Sequence, residues 1–220
     1  LQMQDGTVLT HGQFLQQAAQ YAHVLTDFGL HPGDRVAVQI EKSPQSLAIY
    51  AACVQAGLIF LPLNTAYTAS ELSYFLEDSG ARVVICDPKS QETLAPIAQA
   101  TGAQLETMDA AGEGSFAQKA AAQPMEFATV PREAEDLAAF LYTSGTTGRS
   151  KGAMLTQNNL LSNAEVLTRH WAFSATDALL HALPIFHTHG LFVATNIALL
   201  SGCKICFVPN FALEAILALM

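Results

Sequence analysis

The chain has 220 residues, of which 50% are hydrophobic and 13% charged, so it carries enough apolar surface for a substantial core and is not a disordered polymer. Its 10 Lys and Arg against 19 Asp and Glu give a net charge of −9, which argues against nucleic acid as a partner. No basic run suits an anionic membrane surface, and no segment has the make-up of a signal peptide or a membrane span, so a cytoplasmic chain without membrane partners is expected.

Helix and strand patterns alternate from the start. Thr10 can cap a helix reaching about Phe28, with Phe14, Leu15, Ala18, Tyr21, Ala22 and Leu25 on one face and Gly29 ending it. Arg35–Ile40 reads as a strand, Pro44–Ala56 as a helix stopped by Gly57, and Leu58–Leu61 as a short buried strand. A helix over Ser70–Ser79 follows, with Ser70 as its cap, then a strand at Arg82–Cys86, a short helix after Pro96 and a weaker strand at Ala103–Thr107. Residues 109–135 lose this periodicity and read as a linker with one short helix. The pattern resumes with strands at Leu137–Tyr142 and Gly152–Leu155, and a helix from the Thr156 cap to about Trp171. A strand-like run at Ala178–Leu183, a helix over Gly190–Leu200 and a strand at Lys204–Val208 complete it. The alternation predicts an α/β fold, a layered and mostly parallel sheet with helices on both faces. Its segments are 1–108 and 136–220, joined by the linker 109–135.

The four cysteines are expected to be reduced core residues. Cys203 and Cys206 have the spacing of a zinc knuckle, but no second pair completes a tetrahedral set, and positions i and i+3 of a strand face opposite sides.

The most informative segment is Tyr142-Thr-Ser-Gly-Thr-Thr-Gly-Arg-Ser-Lys-Gly152. Gly145 and Gly148 permit positive φ and a close backbone approach to a ligand. Backbone amides near them can form a nest for an anion. The hydroxyls of Thr143, Ser144, Thr146 and Thr147 add short donors, and Lys151 adds a compact cation suited to phosphate. The spacing is not that of the Walker loop, in which four residues separate the first glycine from Gly-Lys-Ser/Thr. Composition alone leaves a polar surface loop as a rival reading; the order of the residues decides against it.

That order resembles the phosphate-loop signature of the acyl-CoA synthetase, adenylation-domain and luciferase superfamily of adenylate-forming enzymes. Gly33-Asp34-Arg35-Val36, Leu61-Pro-Leu-Asn64 and Ser70–Ser79 are similar to upstream stretches of that family. The resemblance implies the N-terminal part of the adenylate-forming ligase fold. It further implies ATP, Mg2+ and coenzyme A as cofactor and co-substrates. Thr143, Ser144, Gly145, Thr146, Thr147, Gly148 and Lys151 are expected around the phosphates, with Thr143 beside the metal and Lys151 catalytic. In such enzymes a carboxylate attacks the α-phosphate of ATP, pyrophosphate leaves, and a thiol then displaces AMP. Amides, hydroxyls and one lysine stabilise the charge that develops on pyrophosphate.

Three histidines lie within His181-Ala-Leu-Pro-Ile-Phe-His-Thr-His189. His187 and His189 form an HxH pair, but no third ligand is well placed for zinc. His181 is expected to be an ordinary satisfied histidine. The run Leu183–Leu191 resembles the next signature of the same family, in which the loop histidine flanks the acyl pocket. This places His187 beside the reacting carboxylate, with a catalytic role. The form with a second histidine, and the stretch Leu63–Tyr67, are most similar to malonyl-CoA synthetases. His189 is the candidate donor to a second carboxylate of malonate or a related small acid. Other acyl- or aryl-CoA ligases, peptide-synthetase adenylation domains and a noncatalytic nucleotide-binding module remain alternatives.

The chain starts at Leu1 and stops within the apolar run Phe211–Met220, so part of a longer protein is expected. The resemblance places an acidic metal-binding residue, a ribose-binding Asp, a hinge and a mobile C-terminal Lys further on. The 220 residues by themselves are therefore expected to be inactive.

Overall fold

The computed structural model describes residues 1–143, 149–211 and 213–219. The first long helix, α1 (His11–Asp27), begins where Thr10 accepts from the Gln13 amide and Gln13 returns a bond to the Thr10 backbone. This reciprocal box satisfies two donors that a bare helix start would leave open. Helix α2 (Pro44–Ala56) starts with the same device between Ser43 and Ser46, has Pro44 in its first turn, and stops at Gly57 with φ of 70°. A side chain at Gly57 would meet the Arg132 stem at 2.9 Å, so a left-handed conformation and a close neighbour both favour glycine there.

Among the described residues, strands form two sheets. The larger contains β2 (Arg35–Gln39), β3 (Ile59–Pro62), β4 (Val83–Cys86), β5 (Gln104–Thr107), β6 (Leu137–Thr143) and β7 (Lys151–Thr156), in the order β5-β4-β2-β3-β6-β7. Its neighbours pair in parallel except β6 with β7, which are antiparallel. The smaller sheet has the parallel order β1-β9-β8, from β1 (Gln2–Met3), β9 (Lys204–Phe207) and β8 (Ala178–His181). The α/β reading holds, with two corrections. Strands β8 and β9 belong to a separate sheet, and the two-residue β1, which has no local periodicity, joins it through register with Cys206 and Phe207.

Alternation along β2 explains why helices cover both faces. Val36 and Val38 point into a core shared with Leu25, Ile49 and Ala52 of α1 and α2. Ala37 points the other way, into a cluster with Leu72, Phe75 and Leu76 of α3 (Ala69–Ser79) and Leu94 of α4 (Gln91–Thr101). Fully burying each of these larger side chains stabilises by about 1.5–3 kcal/mol. The α1/α2 core also takes in Ile205 and Phe207 of β9, so the small sheet shares it.

Two helix starts differ from expectation. Thr68, not Ser70, caps α3, because Glu71 three residues on completes the box with Thr68. Helix α4 begins at Gln91 and contains Pro96, rather than following it. Burial of Leu94 and Ala98, one turn apart, outweighs the cost of a proline within the helix. Residues 109–135 contain one short helix, α5 (Ser115–Ala120). Helix α6 (Gln157–His170) starts at the Thr156 box. The segment expected as one helix from Gly190 is a π-helical turn over His189–Thr195 that runs into α7 (Asn196–Ser201). Helix α8 (Leu213–Leu219) lies at the C-terminal end.

Cys53, Cys86 and Cys203 are buried, and burial raises the Cys53 thiol far above its ordinary pKa and the Cys86 thiol to about 12. These are core thiols rather than nucleophiles.

Candidate active site

Strand β7 is the edge strand of the larger sheet, and β6 and β7 flank residues 144–148. Residues 144–148 therefore connect two neighbouring strands, the second of which is the edge of the sheet. Ser144, Gly145, Thr146, Thr147 and Gly148 lie outside the described residues. The two ends of the segment are described. Register pairs Thr143 with Lys151, so residues eight apart in sequence stand opposite each other at the loop end of the hairpin. Both are exposed, and the Thr143 hydroxyl reaches the Lys151 carbonyl only at 3.5 Å. An exposed hydroxyl and an exposed ammonium thus remain available to an anion.

Helix α3 braces both arms of the hairpin. Tyr142 donates to Asp78 Oδ2 at 2.6 Å. Burial, then the Asp78 carboxylate, pushes the Tyr142 hydroxyl well above its ordinary pKa, so it stays a donor. Gly152 leaves room for this ring; a Cβ there would lie 3.3 Å from two of its atoms. On the other arm, Tyr74 donates to the Ser150 carbonyl at 2.9 Å, and the Arg149 guanidinium lies over the Tyr74 ring, 4.8 Å from its centre. Tyr74 and Asp78 are four residues apart and share a helix face. Sequence reasoning missed both, because their partners lie 76 and 64 residues away.

The second candidate segment follows β8. His187 and His189 are exposed, and the Phe186 ring packs against His187 with centroids 4.6 Å apart. Phe186, with Val38, Phe60, Pro62 and Pro184, lines a cavity of about 280 Å3 at the C-terminal ends of β2 and β3. That is the end at which open parallel sheets bind ligands. Lys42 lies in its wall and donates at 2.7 Å to the carbonyls of both His181 and Val208. Desolvation lowers the Lys42 ammonium to about 7. Lys42 was not singled out in the sequence, where nothing marks a lysine that crosses between sheets.

His181 is buried, as an ordinary core histidine would be, and its Nε2 contacts the Gly190 carbonyl and the Thr195 hydroxyl. Burial, then the Lys42 charge, lowers its pKa to about 4, so it is neutral near pH 7. The structure thus brings Thr143 and Lys151 together in one place and His187 and His189 in another. No hydrogen bond or ion pair among the described residues joins Lys151 to either histidine.

A divalent cation that bridges phosphates needs few protein ligands. Among the described residues no three His, Cys, Asp or Glu side chains converge, and the exposed Thr143 hydroxyl is one oxygen that fits such a partly protein-bound ion. No helix among the described residues is long and apolar enough to cross a membrane.

Comparison with known proteins settles the family. The model of the AMP-binding enzyme family matches residues 1–220. The chain belongs to that family. Its backbone superposes with a TM-score of 0.96 on the ATP-bound MatB of Rhodopseudomonas palustris, 48% identical, covering 99% of this chain and 43% of that one. A feruloyl-CoA synthase of Amycolatopsis is 36% identical over 96% of this chain and 42% of its own length. A mitochondrial malonate–CoA ligase of Bos taurus is 32% identical over 77% of this chain and 28% of its own. The chain spans less than half the length of these AMP-binding relatives.

Proposed function

We propose that this chain is the N-terminal, ATP-gripping part of a malonate–CoA ligase, forming malonyl-adenylate and then malonyl-CoA. The observation that carries the reading is the likeness, over nearly the whole chain, to an ATP-bound MatB. The paired Thr143 and Lys151 at the mouth of the Gly/Ser/Thr segment support the nucleotide half of it.

In this reading Lys151 bears on the phosphates and stabilises the charge that builds on pyrophosphate as it leaves. Ser144, Gly145, Thr146, Thr147 and Gly148 supply amides and hydroxyls around the same oxygens. Thr143 offers its hydroxyl to the magnesium ion, which when bound neutralises part of the polyphosphate charge. His187 stands beside the reacting carboxylate and His189 donates to the second one. Coenzyme A then takes the acyl group from AMP. Residues 1–108 and 136–220 act as two segments of one domain, connected by 109–135.

The feruloyl-CoA synthase relative favours a second reading, activation of an aryl acid. The two differ in charge and size of the acid, so one experiment decides. The full-length enzyme is given malonate, methylmalonate, acetate, butyrate, benzoate and ferulate at matched concentrations, and AMP and acyl-CoA are measured. Malonate is expected to win. A monocarboxylate or aryl winner rejects malonate and leaves the acyl-CoA ligase assignment standing.

A further inference from the structure

The segment that carries His187 and His189 is held from below by one carbonyl. Gly190 O receives the His181 imidazole Nε2 at 2.9 Å and the Thr195 hydroxyl at 3.0 Å, and these two donors are themselves 3.1 Å apart. His181 and Thr195 are 1% and 0% exposed, so no water competes for that oxygen. The glycine is needed for a different reason. A Cβ at Gly190 would overlap the Pro184 carbonyl oxygen, so the chain from Pro184 to Gly190 folds back until backbone touches backbone. The Leu191 amide closes the same turn on the His187 carbonyl at 3.0 Å.

The chemistry fixes the imidazole's protonation. A carbonyl can only accept, so the proton of the neutral ring belongs on Nε2, and the buried Nδ1 has no partner among the described residues. Leaving a buried nitrogen unpaired is costly. That cost is offset by the two contacts of Nε2 and by the ring's packing on Phe207. The ring is itself held in place: it packs on Phe207 at 5.6 Å, and its own backbone carbonyl accepts from Lys42 and from the Val208 amide. A chain of contacts thus runs from the cavity wall through His181 to Gly190 and the exposed histidines. The π-helical turn that begins at His189 is a rare geometry that recurs at functional sites.

We infer that His181 and Thr195 are positioning residues: by orienting the Gly190 carbonyl they set where His187 and His189 stand, and so govern affinity for the acid without touching it. The inference rests on the reading in which that segment meets the acid.

The test uses the full-length enzyme and measures KM for the acid and for ATP separately, on whichever acid the wild type uses best. Thr195→Val keeps the shape and removes one donor; His181→Leu removes the other; His181→Gln restores an amide donor at similar reach. Thermal unfolding is followed for each. Thr195→Val and His181→Leu are each expected to raise the acid KM about tenfold, the effect of one buried hydrogen bond, and to leave the ATP KM unchanged. His181→Gln is expected to recover most of the loss. His187→Ala serves as the control for the underlying reading. If His187→Ala raises the acid KM while Thr195→Val does not, the positioning role is wrong and the reading stands. If His187→Ala has no effect, the segment does not meet the acid and both fall. Parallel rises in the acid and ATP KM values would reduce His181 and Thr195 to plain core residues. Should His181→Leu fail to fold, Thr195→Val and His181→Gln still decide.

Discussion

Thr143 and Lys151 are register partners in the antiparallel pairing of β6 with β7, at the point where the hairpin opens. Strand register alone therefore sets a hydroxyl-bearing residue of one arm opposite a lysine of the other, next to residues 144–148. Lys151→Ala in the full-length enzyme is expected to slow adenylate formation about tenfold to a hundredfold, since a charge-assisted contact is worth about 1.5–3 kcal/mol. Pyrophosphate–ATP exchange measures it, and an unchanged rate would remove Lys151 from the phosphate site.

The α3 brace predicts a graded series. Tyr74→Phe loses the bond to the Ser150 carbonyl but keeps the ring under Arg149. A neutral hydrogen bond is worth about 1 kcal/mol, so the ATP KM should rise about fivefold. Tyr74→Ala also loses the cation–π contact and should be worse. Acid KM is the internal control, because Tyr74 contacts Ser150 and Arg149, between β6 and β7, and not the His187 segment. Equal shifts in both constants would mean that α3 is simply unstable in these variants.

Selectivity for a second carboxylate should follow His189. A site built to pair a charge discriminates against the analogue that lacks it, because its own polar groups are left unpaired. His189→Ala is expected to lower kcat/KM for malonate about tenfold relative to propionate, and to leave the ATP KM alone. The malonate-to-propionate ratio in wild type and variant is the measurement. A ratio that does not move would assign the second carboxylate to a residue other than His189.

The legible and the hidden parts of this molecule divide by range of interaction. Caps at Thr10 and Thr156, the Gly57 stop and the strands β2, β3, β4 and β6 are short-range features, and they were readable because each leaves its pattern within a few residues. Thr68 rather than Ser70 caps α3 because Glu71 stands three residues after Thr68, and α4 runs through Pro96 because its Leu94–Ala98 stripe is buried. Strand β1 was invisible, since two residues become a strand only by pairing with β9 some 200 residues on. The same holds for the site. Thr143, Lys151, His187 and His189 could be singled out from local motifs. Tyr74, Asp78 and Lys42 could not, because each acquires its role from a partner that only the fold brings near.

Burial of His181 also makes stability depend on pH in a definite direction. Its folded pKa is about 4, below the 6.5 of a free histidine. Between these values the unfolded chain binds more protons than the folded one, so stability rises with pH. The contribution is therefore complete above about pH 6.5 and is lost as pH falls toward 4. A depression of this size corresponds to roughly 3 kcal/mol. Lys42 acts in a separate window: its ammonium, lowered from 10.5 to about 7, makes stability rise with pH between those values. The two effects can be separated by urea unfolding of the full-length enzyme from pH 4.5 to 9. His181→Gln should flatten the acid limb between pH 4.5 and 6.5 and leave the alkaline limb intact. Lys42→Met should flatten the alkaline limb, and it should also weaken the tie between the sheets, because the carbonyls of His181 and Val208 lose their shared donor. An acid limb that keeps its slope in His181→Gln would show that other groups set the acid stability, and that the imidazole is free to take up a proton in the folded enzyme.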